Sequence, residues 1–238
     1  MYDLNVRFMT KNDCYVAGRK ITPKGIMIHS TATPGVMAGE WFDRWNKSYQ
    51  QGEIGSQVCA HAFVDDRETW QYLPWNHRGW HSGGKANDTH IGIELCEPAG
   101  HRYEDGSGGT MFDYDVKKNE VYFNLIWDRA IRVTEFLCRK YGLVGRDVID
   151  HSEGYRMGIA SNHGDVGHWF PKHGKNMDLF REEVDKRLQG EYPSEWARDA
   201  WEWAKEKSYL DGMRPKDPLT REEFATVLKR IIVDKLGG

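Results

Sequence analysis

The segment GIMIHSTATPG, residues 25–35, joins a short apolar run to a polar loop. Its apolar part, residues 26–28, has the continuous hydrophobic character of a strand that is buried on both faces of a sheet. His29 follows at once, and the serine, threonine, proline and glycine after it favour a turn. The segment therefore predicts a buried strand that carries an imidazole to one edge of a sheet. A single histidine there is more often a hydrogen-bonded structural residue than a ligand, so its role depends on the other segments.

Strand-like and helix-like patterns alternate along the rest of the chain. Strands are predicted within VCAHAFVDD (58–66) and HIGIELCE (90–97), and helices at 38–49, 121–141 and 177–188. In HIGIELCE, Glu94 lies on the face opposite Ile91 and Ile93, because successive side chains alternate across a strand. This mixed order predicts an α/β fold, with a central mixed β-sheet flanked by helices.

The segment QGEYPSE, residues 189–195, interrupts these patterns with glycine and proline, which predicts a linker. We therefore expect a main domain at residues 1–189 and a small module at residues 190–238. The module has two helical patterns, and Thr220 with Glu223 forms a capping box before the second. Such a small helical hairpin rarely has enough core to stand alone, so it should dock on the main domain or pair with copies of itself.

The composition excludes several classes of protein. A net charge of −3 argues against bulk nucleic-acid binding. With a mean hydropathy of −0.73, the chain has no run near the ~20 apolar residues of a membrane span. The first residues lack the pattern of a secretory signal. The four cysteines form no CxxC pair, and we expect them to be reduced and apart from any metal site.

Two further polar side chains could lie near His29 in the folded chain. His151 comes directly after the apolar residues of RDVIDHSEG (146–154), and Asp165 lies fourteen residues later in SNHGDVGHWF (161–170). Two imidazoles and one carboxylate are the usual protein share of a catalytic zinc site, in which water takes the fourth position. The spacing alone is a weak signal, because no single helix holds the three residues together.

Five motifs occur in the order seen in one family: MIHSTAT (27–33), CAHAFVDDRETWQYLPWNHRGWHSGG (59–84), THIGIELCEP (89–98), DHSEG (150–154) and NHGDVGHW (162–169). The chain thereby resembles the zinc-dependent N-acetylmuramoyl-L-alanine amidases of type 2, which include phage endolysins, bacterial autolysins and peptidoglycan recognition proteins. The resemblance covers roughly residues 25–188. It implies a Zn²⁺ cofactor, peptidoglycan as partner, and hydrolysis of the amide between N-acetylmuramic acid and L-alanine.

The resemblance also implies roles for single residues. His29, His151 and Asp165 match the zinc ligands, although the long stretch between the last two leaves His163 or His168 as alternatives to Asp165. Glu94 matches the acid that activates the water, and a solvated strand glutamate would show the same pattern. His163 falls where the family commonly has lysine, and its charged form would stabilise the oxyanion or protonate the leaving amine. His61, Trp80 and His81 match groove residues that bind substrate, with structural roles as the rival explanation, and Trp75 is a weaker candidate of the same kind.

The tail resembles a single S-layer homology repeat, through the WA near its start, the LDG turn and LTREEFA at 219–225. This implies binding to a secondary cell-wall polymer and, because such repeats usually act in threes, assembly into a homo-oligomer. A hairpin that only stabilises the enzyme is the alternative.

Two functions are compatible with these residues. The first is an endolysin that accumulates in the host cytoplasm before it reaches the wall, with an exported bacterial autolysin as the rival origin. The second is a non-catalytic peptidoglycan-binding module of the same fold. Because such modules usually lack part of the metal set, the presence of His29, His151, Asp165 and Glu94 favours the enzyme.

Overall fold

The computed structural model describes residues 4–104, 110–190, 197–210 and 219–236. Their contacts divide the chain into two compact units, Met1–Val184 and Asp185–Gly238. The predicted linker at 189–195 and the turn between the two tail helices lie mostly outside the described residues. Among the described helices, none combines the length and the apolar character needed to cross a membrane.

A six-stranded sheet forms the centre of the first unit. In chain order its strands are β1 (Asn5–Val6), β2 (Gly25–Ser30), β3 (Ala62–Val64), β4 (Thr69–Gln71), β5 (His90–Leu95) and β8 (Val148–Asp150), and across the sheet they lie in the order β1-β4-β3-β5-β2-β8. Only β3 and β4 pair antiparallel, while the other neighbours are parallel. A separate antiparallel pair joins β6 (Arg102–Tyr103) to β7 (Met111–Phe112). The predicted mixed sheet is confirmed.

The helices are α1 (Asp13–Ala17), α2 (Trp41–Trp45), α3 (Glu120–Tyr141), α4 (His151–Arg156), α5 (Met177–Gly190), α6 (Arg198–Glu206) and α7 (Arg221–Leu236). The long helix predicted at 121–141 is confirmed as α3, whose buried face includes Ile126, Ala130 and Leu137. Gly142 ends this helix in the left-handed conformation, with φ of 68°. On the side of α3 away from solvent, Trp127 packs against Phe170 and Phe180.

The helix predicted over 38–49 is much shorter in the structure. A 3₁₀ turn covers Ala38–Glu40, and α2 continues only to Trp45. Its end is held by the N-terminal segment: Asn12 Nδ2 donates to the Trp45 carbonyl, and Lys11 N donates to Asn46 Oδ1. The first bond occupies the Trp45 carbonyl, which a longer helix would use as a backbone acceptor, so tertiary contacts override the local periodicity.

Strand β2 occupies the middle of the parallel part of the sheet. All its residues are buried, as expected for a strand covered on both faces. In its register with β5, His29 lies beside Glu94, and in its register with β8, Ile28 lies beside Asp150. The three strands therefore end at one edge of the sheet, where α/β proteins place their ligand sites.

In the second unit, α7 begins with the predicted capping box. Thr220 Oγ1 accepts from Glu223 N at 3.2 Å, and Thr220 N donates to Glu223 Oε2 at 2.9 Å. These bonds satisfy backbone and side-chain groups that a helix start leaves free.

Candidate active site

Three side chains from distant segments converge at the carboxyl edge of the sheet. His29 is the next-to-last residue of β2, His151 opens α4 directly after β8, and Asp165 begins the 3₁₀ turn Asp165–His168. The two histidine Nδ1 atoms lie 3.2 Å apart. Asp165 Oδ2 lies 2.8 Å from His151 Nδ1 and 3.6 Å from His29 Nδ1. Within the described part of the chain, the donor atoms of these three residues form the group that could jointly hold a metal ion.

The spacing of these donors fits a tetrahedral zinc ion. With ligand bonds of about 2.0–2.1 Å, two donors on a tetrahedron lie about 3.3 Å apart, and the three observed separations are close to that value. Asp165 Oδ2 is buried and accepts no hydrogen bond of good geometry, which leaves it free for a cation. The donor set of two imidazoles and one carboxylate is also one that zinc prefers.

The protonation states of the donors favour a cation. Burial lowers the pKa of His29, although Asp165 partly opposes this. Burial alone would raise the pKa of Asp165, but the neighbouring imidazoles of His151 and His29 outweigh it and hold that pKa below its ordinary value. A neutral imidazole and an ionised carboxylate are the forms that bind metal ions.

Asp165 adopts a backbone conformation that few residues tolerate. Its φ is 44°, in the left-handed region where aspartate is several-fold enriched over other non-glycine residues. This turn directs one carboxylate oxygen, Oδ1, toward the amide of Ser30, which donates to it at 3.3 Å. The end of β2 thus supplies both a donor, His29, and an N–H group that orients a second donor.

The position of His151 is set by the start of α4. Asp150 caps this helix by accepting from Glu153 N at 2.6 Å, and Glu153 Oε2 accepts from Asp150 N at 3.0 Å. Arg181 holds Glu153 from the other side, through three contacts of 2.9–3.1 Å. Because His151 lies between the two members of this capping box, the box fixes the backbone that carries it.

A second layer of hydrogen bonds lies behind the two histidines. His29 Nε2 lies 2.9 Å from His81 Nδ1, and His81 Nε2 lies 3.1 Å from the His90 carbonyl. His151 Nε2 lies 3.2 Å from Ser161 Oγ. Burial, followed by repulsion from His29 and His61, lowers the pKa of His81 well below its ordinary value, so this ring is neutral.

Glu94 lies beside the three donors. Its side chain is buried, and the register of β5 with β2 places it next to His29. Burial and the nearby charges of Asp165 and Glu97 raise the pKa of Glu94 well above its ordinary value. A carboxyl group with a raised pKa beside a cation site is suited to take up a proton from a water molecule and release it again.

A cavity of about 310 Å³ opens over this cluster. Its walls include the three donors, Glu94 and a set of further residues: Trp41, Trp45, Gln57, Val58, Trp80, His81, Ser161, His163 and His168. Trp80 is 37% exposed, and the Arg78 guanidinium lies 4.8 Å from the centre of its ring. The aromatic residues give one side of the cavity flat apolar surfaces of the kind on which sugar rings stack.

The two alternatives to Asp165 as the third donor form hydrogen bonds with other groups. His163 Nδ1 lies 3.0 Å from Ser161 Oγ, and His168 Nε2 lies 3.2 Å from the Tyr103 hydroxyl. Both rings line the cavity but stand outside the donor triangle. The Tyr103 hydroxyl also donates to the buried Glu97 at 2.7 Å, so His168 is part of a separate polar network.

The predicted groove residues have different positions. Trp80 lines the cavity, whereas His61 is fully buried and does not. His61 Nδ1 accepts from Gly92 N at 3.0 Å, and its Nε2 donates to the His77 carbonyl at 2.8 Å. With both nitrogens bound to the main chain, His61 has no ring nitrogen left to contact a ligand. Trp75 is buried as well, and stacks near His61.

The sequence did not single out three features of the site: Ser161 beside His151, Asn87, which accepts from His81 N at 2.9 Å, and the α2 tryptophans. Serine and asparagine in loops carry no distinctive pattern, and Trp41 and Trp45 show the spacing of ordinary core residues. Only the helical phase of α2 relative to the sheet brings both rings to the cavity.

The fold and the donor cluster define an α/β protein with a potential metal centre at the carboxyl edge of its sheet. The family model for N-acetylmuramoyl-L-alanine amidase (Amidase_2) matches residues 18–168, which is more than half of the chain. The chain therefore belongs to the N-acetylmuramoyl-L-alanine amidase family. All the donors, Glu94 and His163 lie within the matched residues.

Two relatives from Bacillus subtilis (strain 168) show the extent of the sequence similarity. N-acetylmuramoyl-L-alanine amidase XlyA is 38% identical over 85 residues, which cover 34% of this chain and 27% of XlyA. N-acetylmuramoyl-L-alanine amidase CwlH is 26% identical over 149 residues, which cover 61% of this chain and 56% of CwlH. The matched part of the chain thus spans about a quarter of one relative and about half of the other.

Solved structures show the same fold at low sequence identity. PlyL matches with a TM-score of 0.55 and 18% identity, over 78% of this chain and 97% of PlyL. The Staphylococcus aureus hydrolase AmiA, solved with its ligand, matches with a TM-score of 0.57 and 16% identity, over 78% of this chain and 83% of AmiA. The catalytic domain of XlyA matches with a TM-score of 0.51 and 22% identity, over 76% and 99% of the two chains.

Proposed function

We propose that this protein is a zinc-dependent peptidoglycan hydrolase that cleaves the amide bond between N-acetylmuramic acid and L-alanine. The observation that carries the proposal is the convergence of His29, His151 and Asp165, with Glu94 beside them, inside a chain of the amidase family. A zinc ion held there would polarise the amide carbonyl and lower the pKa of a bound water from 15.7 to about 7.

The side chains around the donors have distinct tasks in the reaction. Glu94 takes the proton of the attacking water as the new C–O bond forms on the amide carbon. When the C–N bond breaks, that proton passes to the departing nitrogen, which leaves as the amino group of L-alanine, while the lactyl group retains a new carboxyl group. The carboxyl proton then passes to the released amine, which leaves a carboxylate and an ammonium group. His163 in its charged form, protonated at both ring nitrogens, provides an Nε2–H group toward the carbonyl oxygen, where negative charge develops. Its Nδ1 is engaged by Ser161, which leaves Nε2 for the cavity.

Release of new L-alanine amino termini from purified cell walls tests this function directly. The wild-type protein should release them, and Glu94→Gln should lose that release while still binding zinc, because the amide has a similar shape but takes up no proton. Zinc bound without release of amine by the wild type would instead indicate a peptidoglycan-binding module without catalysis.

We further propose that the C-terminal unit binds an anionic secondary cell-wall polymer. A cavity of about 510 Å³ in this unit is lined by Lys207, Ser208, Tyr209, Thr226, Lys229, Arg230 and Val233. Three of these side chains are cationic and none is acidic. Sedimentation of the full chain with walls before and after extraction of their anionic polymers tests this, and equal binding to both would contradict it.

The same unit supports a proposal of self-assembly. Phe224, Leu228 and Ile232 follow one another at intervals of four along α7, and they are 44–56% exposed. Apolar residues at this spacing form one stripe on a helix, which copies of the chain can bury against each other. Sedimentation velocity of the full chain measures this, with Leu228→Glu as the variant that should remain monomeric.

Residence in the host cytoplasm before release stays a prediction, which fractionation of producing cells measures.

A further inference from the structure

The loop GWHSGG, residues 79–84, lies directly behind the metal-binding histidines. We propose that His81 is a positioning residue that fixes His29 in the ring form whose Nδ1 lone pair faces the metal. The inference rests on the proposed metal site, and it replaces the expectation that His81 contacts substrate.

The His90 carbonyl fixes the direction of the hydrogen bonds that link it to His81 and His81 to His29. The His90 carbonyl has no hydrogen to donate, so the proton in its 3.1 Å contact lies on His81 Nε2. A neutral ring protonated at Nε2 has a lone pair on Nδ1. The 2.9 Å contact between His81 Nδ1 and His29 Nε2 therefore has its proton on His29 Nε2. His29 is then left with a lone pair on Nδ1, the atom that lies 3.2 Å from His151 Nδ1 in the donor triangle.

The packing around His81 holds its ring in this place. A Cβ atom at Gly92 would lie 2.5 Å from His81 Cγ, and one at Gly79 would lie 2.9 Å from His81 Cδ2. The ring therefore occupies space that only glycine leaves open at both positions. Asn87, itself buried, accepts from the backbone N–H groups of His81 and Ser82 at 2.9 and 3.0 Å, which anchors the loop.

The same loop supports the second histidine. The Ser161 hydroxyl donates to the Ser82 carbonyl at 3.1 Å, so its oxygen accepts from His151 Nε2. This leaves the His151 lone pair on Nδ1, again toward the donor triangle. One short loop thus directs both imidazoles, through a side chain at His81 and a carbonyl at Ser82. Groups that hydrogen-bond the far nitrogen of a metal-binding histidine commonly govern its orientation.

His81 has no nitrogen left for substrate, since both are used by His29 and His90. Although the ring borders the cavity, its hydrogen-bonding capacity is complete. This separates His81 from His163, which keeps one ring nitrogen free.

Two measurements on the full chain test the inference. The first is the ring form of His29 in ¹⁵N-labelled metal-free protein, read from long-range ¹H–¹⁵N couplings. We expect the proton on Nε2 in the wild type and a mixture of forms in His81→Phe. A wild-type ring protonated on Nδ1 would overturn the inference, and this measurement needs no variant to fold.

The second measurement is the zinc dissociation constant, obtained by competition with a chelating indicator. His81→Phe should bind zinc ~10–100-fold more weakly, the usual effect of losing such a partner. His81→Asn places a carbonyl oxygen near the position of Nδ1, so it should recover much of the affinity. Equal affinity of wild type and His81→Phe would refute the positioning role. If zinc binds as expected but walls release no amine, the proposed hydrolysis fails and the role of His81 stands.

Discussion

Replacing Gly92 by alanine should weaken metal binding although it alters none of the three donor residues. The new Cβ atom would lie 2.5 Å from His81 Cγ and 2.7 Å from two other ring atoms, whereas ordinary contacts begin at 3.4 Å. The ring must therefore shift by about 1 Å, which takes a hydrogen bond out of its range of about 2.7–3.2 Å. His29 then loses the partner that holds its ring, or moves with it.

The size of the effect follows from two contributions. Overpacking of a buried site costs typically 1–3 kcal/mol, and each kcal/mol lowers Tm by about 2–4 °C in a domain of 150–250 residues. Loss of the His81 partner should weaken zinc binding by ~10–100-fold. We therefore expect a folded variant with a lower Tm and a clearly raised dissociation constant for zinc.

The assay combines thermal unfolding with zinc competition on the same preparations. Gly55→Ala is the matched control, because a Cβ atom there would meet no other atom within 4 Å. It should match the wild type in both Tm and zinc affinity. A Gly92→Ala protein that is folded and binds zinc as tightly as the wild type would refute the reasoning, since the ring would then have no influence on His29.

Four other changes have defined outcomes. Asp150→Ala removes the cap of α4 and should lower the free energy of unfolding by about 0.5–2 kcal/mol in urea titrations. Burial lowers the pKa of His61 from 6.5 to about 4, so below pH 6.5 the unfolded chain binds a proton at His61 that the folded chain does not. The free energy of unfolding should therefore decrease as the pH is lowered, by about 2 kcal/mol at pH 5, and His61→Gln should lose that part of the pH dependence. Removal of zinc by a chelator should abolish amine release from walls, and added zinc should restore it; activity that persists without metal would contradict the mechanism. Trp80→Ala should raise KM by roughly 2–10-fold with little change in kcat, if the ring contributes stacking of about 0.5–1.5 kcal/mol.

Much of the site could be predicted from local sequence because parallel strands bring their carboxyl ends to the same edge of a sheet. The run at 26–28 and the alternation around Glu94 identify strands, and parallel strands gather the residues at their carboxyl ends along one edge. His29, Glu94 and His151 each stand at such an end, so their proximity follows once the strands are paired in the observed order. Their chemical types are those that could hold a cation through nitrogen and oxygen ligands.

Other features depended on contacts between remote segments. His61 and His81 were both predicted to line the substrate groove, yet one is enclosed by main-chain groups and the other borders the cavity. The length of α2 was overestimated for the same reason, because the Asn12 side chain that binds at its end lies 33 residues away.

The amino-acid sequence by itself determined the mixed sheet, the long helix α3, the capping box of the tail helix and the residue types available for a metal. These depend on short-range periodicity and on side-chain chemistry, which every local segment carries with it. Only the tertiary structure placed Asp165, and not His163 or His168, in the donor triangle, and placed His81 within hydrogen-bond distance of His29 Nε2. Those choices depend on one left-handed backbone angle and on distances of about 3 Å between segments up to 135 residues apart, and no local pattern encodes separations of that kind.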